Sequence, residues 1–105
     1  DDSTIKMHVM FVDGSYEEDT GEGKTLGLAW GHKNIVIFKE SLENSCSWSA
    51  RPRLSENLCK FAERSVWLHE AGHTLGLVNN GAPLTAEHHD SEHGAHCTND
   101  KCVMY

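Results

Sequence analysis

An α+β fold is what this chain predicts, and two observations carry it. Three short runs of apolar and β-branched residues occupy the first 38 positions, and a single long stretch of helical periodicity follows them. The chain has 105 residues, enough for one domain. Its core would be small and marginal without covalent or metal staples.

The first run, residues 5–12 (Ile-Lys-Met-His-Val-Met-Phe-Val), alternates and then turns wholly apolar, as a partly buried strand does. His8 inside it reads as a packed or solvent-facing side chain. Asp13-Gly14 closes the strand. Residues 15–24 are acidic and contain glycine, which predicts a loop, and its acids Glu17, Glu18, Asp19 and Glu22 read as solvated. Residues 26–30 (Leu-Gly-Leu-Ala-Trp) make a second strand, 31–34 a turn, and 35–38 (Ile-Val-Ile-Phe) a third strand. Gly27 and Ala29 leave one side of the second strand uncluttered. An edge of that kind accepts an extended peptide through main-chain hydrogen bonds; the other reading is an ordinary hairpin strand with no ligand, and the residues hardly separate the two.

Residues 40–53 are polar and read as irregular. A helix is expected from Ser55, its N-cap, with Glu56 in the first turn where the helix dipole favours negative charge. Leu58, Phe61, Ala62, Val66, Leu68 and Leu75 recur at helical spacing and predict the buried stripe. Gly72 in the interior costs up to about 1 kcal/mol relative to Ala, so a close neighbour is expected there. Gly76 ends the helix. Residues 77–95 have no periodicity and contain Asn79-Asn80-Gly81, Pro83 and a cluster of His88, His89, Asp90 and His93.

Composition narrows the function. A formal charge of −7 argues against nucleic-acid binding, which needs a basic patch. No apolar run approaches the roughly 20 residues that span a bilayer. Four cysteines in so short a chain point to an oxidising compartment or to a metal site.

The chemistry concentrates in residues 66–76, Val-Trp-Leu-His-Glu-Ala-Gly-His-Thr-Leu-Gly. His69 and His73 are four apart, so a helix stacks them on one face, where two imidazoles converge on one ion, usually Zn²⁺. Glu70 points about 100° round the helix. It is badly placed as a third ligand and well placed to take a proton from a water that the ion acidifies. The segment after Gly76 must deliver the third ligand, and the residues offer His88, His89, Asp90, His93 and His96.

His69-Glu70-x-x-His73-x-x-Gly76 resembles the start of the extended zinc signature of the metzincin metallopeptidases. In that family a third histidine follows the glycine by three residues. Here Asn79 stands at that position, and a neutral amide is a poor Zn²⁺ ligand. His96-Cys97-x4-Cys102-x-Met104, however, is similar to the archaemetzincin pattern. The resemblance implies an insertion after Gly76 that moves the third ligand to His96; among the other candidates His93 comes next and Asp90 third. It makes Met104 the family's turn methionine. An Asp90–His93 pair would support a ligand from behind.

The same resemblance implies a small, mixed, twisted sheet with an antiparallel edge strand, packed on one long active-site helix. The family's first strand–helix–strand unit has no counterpart before Asp1, and its final helix has none after Tyr105. The expectation is therefore a catalytic-core fragment or a reduced member, secreted or in a cell envelope. The distal Cys-x-x-Cys that helps archaemetzincins hold a second zinc is absent, so Cys97–Cys102 is expected as a disulfide. Cys46–Cys59 is expected as another, tying the loop before the helix to its second turn. The activity implied is zinc-dependent endopeptidase hydrolysis with Glu70 as general base, the peptide or protein substrate lying along residues 26–30. Tyr105 resembles the tyrosine that some members place just past the turn methionine to steady the tetrahedral intermediate. The rival expectation is a non-catalytic module with a structural metal. Glu70 separates the two, since a structural site has no need of it.

Overall fold

The computed structural model describes residues 4, 6–20, 24–46 and 52–105; the readings for residues 5, 22 and 47–49 lie outside these. Three strands, β1 (His8–Val12), β2 (Gly27–Trp30) and β3 (Asn34–Phe38), form one sheet in the order β1-β3-β2. β3 is central because Ile35-Val36-Ile37-Phe38 has no polar side chain, and all four are buried. β1 runs parallel to it, with Val9 opposite Ile35. β2 runs antiparallel, with Gly27 opposite Ile37 and Ala29 opposite Ile35. The sheet is thus mixed, and β2 is its antiparallel edge.

Residues 40–46, read from the sequence as irregular, are helical. They belong to α1 (Lys39–Cys46), which leaves β3 without a loop. Leu42 and Cys46, one helical turn apart, are its buried stripe, with Ser41 beside them. Two apolar residues in eight are too few to register as a period.

α2 (Pro52–Thr74) is the long helix, and it starts three residues before the expected cap. Pro52 suits a first helical position because its missing N–H has no intrahelical partner to lose. Ser55 therefore lies inside the helix, and Glu56 pairs with Lys60 one turn on at 2.9 Å. The buried stripe also differs from the expected one. Ala62 and Val66 turn inward as read, joined by Cys59, Trp67 and Ala71, while Phe61, Leu68 and Leu75 are exposed. Together with Ile35, Ile37, Leu42 and Cys46 these inward residues make the main core. The Cys46–Cys59 disulfide is present and links α1 to α2 across a Cα–Cα distance of 5.2 Å.

Gly76 stops α2 as expected. Its φ of 74° is left-handed, its N–H donates to the His73 carbonyl at 3.0 Å, and the Leu77 N–H reaches the Gly72 carbonyl at 3.1 Å. That pair of bonds is a Schellman cap. Beyond it, residues 77–105 hold two short antiparallel strands, β4 (His89–Asp90) and β5 (His96–Cys97). A second cluster of Val78, Cys97 and Met104 lies beneath them. The expected Cys97–Cys102 disulfide is not formed, and both cysteines are free. Backbone bonds tie the segment instead: Cys97 N–H to the Met104 carbonyl at 2.7 Å, and Cys102 N–H to the Asn99 carbonyl at 3.0 Å. Each sulfur accepts a backbone N–H at 3.4 Å, from Asn99 and Met104 respectively. Among the described residues no helix is long and apolar enough to cross a membrane.

Candidate metal centre

α2 presents His69 and His73 one turn apart, and β5 brings His96 against them. Nε2 of His69 lies 3.1 Å from Nε2 of His73 and 3.1 Å from Nε2 of His96. All three ligand atoms fall within 4.8 Å of one another, and among the described residues they are the group able to hold a metal ion. His88, His89, Asp90 and His93, the other candidates from the sequence, stay outside it. Asn79 is exposed, in a left-handed conformation with φ 48°.

The tautomers decide what the three nitrogens can do. His69 donates Nδ1–H to the Val103 carbonyl at 2.6 Å, and His96 donates Nδ1–H to the His93 carbonyl at 2.5 Å. In the neutral rings both Nε2 atoms therefore carry lone pairs, and neither can donate to the other across 3.1 Å. Facing lone pairs repel unless a cation sits on both. Imidazole nitrogens bound at about 2.0–2.1 Å to one tetrahedral ion also lie roughly 3.3 Å apart, close to what is seen. The residues present thus fit a metal ion, and carbonyls behind the rings hold them as metal-binding histidines are usually held.

Electrostatics agree. Burial, with lesser contributions from His69 and His96, takes His73 down to about 4. Burial also lowers His69, against its bond to the Val103 carbonyl. Both rings are neutral ligands at neutral pH, the form that binds a cation.

Two glycines let other elements close on this site. A Cβ at Gly27 would lie 3.0 Å from both Glu70 Cγ and Val66 Cγ1, so with one present those side chains would have to give way by a few tenths of an ångström. A Cβ at Gly72 would collide with the Met104 sulfur. That is the close neighbour the helix glycine called for, and it sets a methionine under the histidines. Met104 is buried at 2 % exposure, and its carbonyl holds the residue after His96.

Glu70 is buried, and burial raises its carboxyl above the usual range, with His96 opposing. It takes part in none of the ion pairs among the described residues. It lines a cleft of about 410 Å³ with His69, His73 and His96, under residues 27–29 of β2. Residues 93–95 line the same cleft. Tyr105 does not; it borders a neighbouring cavity beside Asp90, His93 and Cys97. Asp90 and His93 form the expected pair, His93 Nδ1–H donating to Asp90 Oδ2 at 2.7 Å. That bond raises the His93 imidazole and lowers the Asp90 carboxyl from their ordinary values.

The sequence missed the Val103 and His93 carbonyls behind the rings. Backbone acceptors leave no mark on residue type. No family model, curated protein or solved structure matches the chain.

Proposed function

We propose that the chain is a metzincin-like, zinc-dependent endopeptidase, with Zn²⁺ on His69, His73 and His96 and Glu70 as the general base. The observation that carries the reading is Glu70 itself, a buried carboxylate in the same cleft as three converging imidazoles. When bound, the ion supplies Lewis acidity that polarises a carbonyl and brings the ionisation of water near neutral pH. Three protein groups would leave a bound ion one coordination position open, as catalytic zinc sites do, whereas structural sites close with four. Glu70 accepts a proton at its carboxylate and returns it to the leaving amine. A pKa raised by burial suits a group that must both take and give a proton near neutral pH. The free edge of β2 supplies main-chain hydrogen bonds to an extended peptide or protein substrate lying along residues 26–30. The Cys46–Cys59 disulfide agrees with a secreted or cell-envelope location.

Glu70→Gln tests this. Hydrolysis of denatured casein should fall by at least a hundredfold while zinc content stays near one ion per chain, since proton transfer contributes about 10²–10⁴-fold. Activity within tenfold of the parent would remove Glu70 from its role.

The second reading is a non-catalytic module in which the metal only holds residues 77–105 to α2. It is favoured by how few buried side chains that segment has. Zinc binding with no hydrolysis by the unaltered chain would select it.

A further inference from the structure

The segment between Gly76 and His96 does more than deliver a ligand, because its last residues border the cleft. His93 lines it together with residues 27–29 of β2 and with His69, Glu70 and His73 of α2. The ring is fixed from one side: Nδ1–H is spent on Asp90 Oδ2 at 2.7 Å, and Asp90 is itself held by the Glu92 N–H at 3.1 Å. Among the described residues no protein group bonds Nε2, and the His93 side chain is 70 % exposed. This is an oriented imidazole with one hydrogen-bonding nitrogen left over.

An extended peptide paired with the edge of β2 satisfies one row of its own main-chain groups and leaves the other row facing away from the sheet. Those groups need partners in the cleft. Asn80 also lines it; one of its amide N–H groups donates to the His73 carbonyl at 2.8 Å, which turns that side chain toward the end of α2. Among the described residues, His93 is the one imidazole lining the cleft that does not join the three converging ones.

We propose that His93, oriented by Asp90, binds the main chain of an extended peptide from the side of the cleft that β2 does not reach, so that residues 93–95 and β2 form a clamp. The proposal rests on the peptidase reading for its substrate class. It makes the insertion after Gly76 a substrate-binding element. It also separates binding from metal holding, because His96 is supported by the His93 backbone carbonyl and not by its ring.

The experiment measures zinc-loaded parent, His93→Ala, His93→Gln and Asp90→Asn for zinc affinity, for kcat and KM on denatured casein, and for binding of fluorescein-labelled denatured casein in a Glu70→Gln background. One lost hydrogen bond corresponds to about a five- to tenfold effect. His93→Ala should raise KM and weaken casein binding by that factor, with kcat within twofold and zinc affinity unchanged. His93→Gln should recover most of the loss, and Asp90→Asn should fall between. Unchanged KM and unchanged binding in His93→Ala would overturn the proposal, as would a loss of zinc that accounts for the whole effect. Casein binding that depends on His93 in a parent without hydrolysis would sink the peptidase reading and leave the clamp standing. A parent that neither binds nor cleaves casein would overturn both.

Discussion

In residues 7–76, three strands and two helices gather Ile35, Ile37, Leu42, Cys46 and Ala71 into one buried cluster with seven partly buried neighbours. In residues 77–105, two two-residue strands cover a cluster of Val78, Cys97 and Met104 with Cys102 as its one partly buried neighbour. Burial of apolar surface is what offsets the entropy of ordering a chain, and the second region has little of it. Its order comes from bonds that run to the first region: His69 to the Val103 carbonyl, Asn80 to the His73 carbonyl, and the Schellman cap at Gly76. His96 adds a further link once an ion is shared with His69 and His73. The three-histidine group is therefore where a region that packs itself meets a region that does not.

The largest expected effect tests that meeting point. Chelation of the metal, or His96→Ala, should release residues 77–105 and leave the sheet and α2 folded. Structural zinc contributes on the order of 10 kcal/mol or more in small domains, well above what a three-residue cluster supplies. Hydrogen exchange read residue by residue should speed up by orders of magnitude after Gly76 and change little in β3. Equal protection in both regions after metal removal would break the comparison.

The next effect is confined to the other side. Cys46→Ala with Cys59→Ala opens a loop whose ends are 13 residues apart. The chain-entropy account assigns such a closure about 3 kcal/mol, a sizeable part of the stability of a small domain. Denaturation followed by circular dichroism should shift by about that amount, with zinc affinity within twofold of the parent. A large loss of zinc affinity in that double variant would mean that the two regions are not independent.

The same division explains what could be read from the residues. β1, β2, β3 and α2 were legible because a sheet and a long helix write their periods into residue order. α1 was not, because Leu42 and Cys46 are only two marks of a period. The start of α2 was misplaced because Ser55 has the chemistry of a cap and Pro52 the geometry of a first turn, and the chain uses the second. Phe61, Leu68 and Leu75 were misread because helical spacing alone admits more than one stripe, and only the sheet decides which one is covered. After Gly76 no period exists, and residue chemistry alone left five candidates; His96 was reachable through the resemblance of His96-Cys97-x4-Cys102-x-Met104 to the archaemetzincin pattern, and it is the one that meets His69 and His73. The Cys97–Cys102 expectation failed in that same stretch. Backbone bonds from Cys97 to Met104 and from Cys102 to Asn99 hold the loop, and residue types do not announce them.

The smallest effect comes at Gly72, where the two regions touch. In an exposed helix, Gly→Ala stabilises by up to about 1 kcal/mol. Here the added methyl would meet Met104 Sδ, with Met104 Cε at 3.2 Å and Leu77 Cδ1 at 3.3 Å behind it. The sulfur is not the free end of its side chain, and Met104 is 2 % exposed, so it cannot swing into solvent without leaving the cluster. Overpacking a tight contact costs about 1–3 kcal/mol, which exceeds the helical gain. Gly72→Ala should therefore destabilise by about 1 kcal/mol net. It should also weaken zinc binding several-fold, because the Met104 carbonyl holds Cys97 and through it His96. Adding Met104→Ala removes the collision, so the two changes should be strongly non-additive, with the double variant more stable than the sum of the singles predicts. Additive effects would mean that Met104 does not press on the helix at Gly72, and the contact that seats the second region beneath the histidines would have to be sought elsewhere.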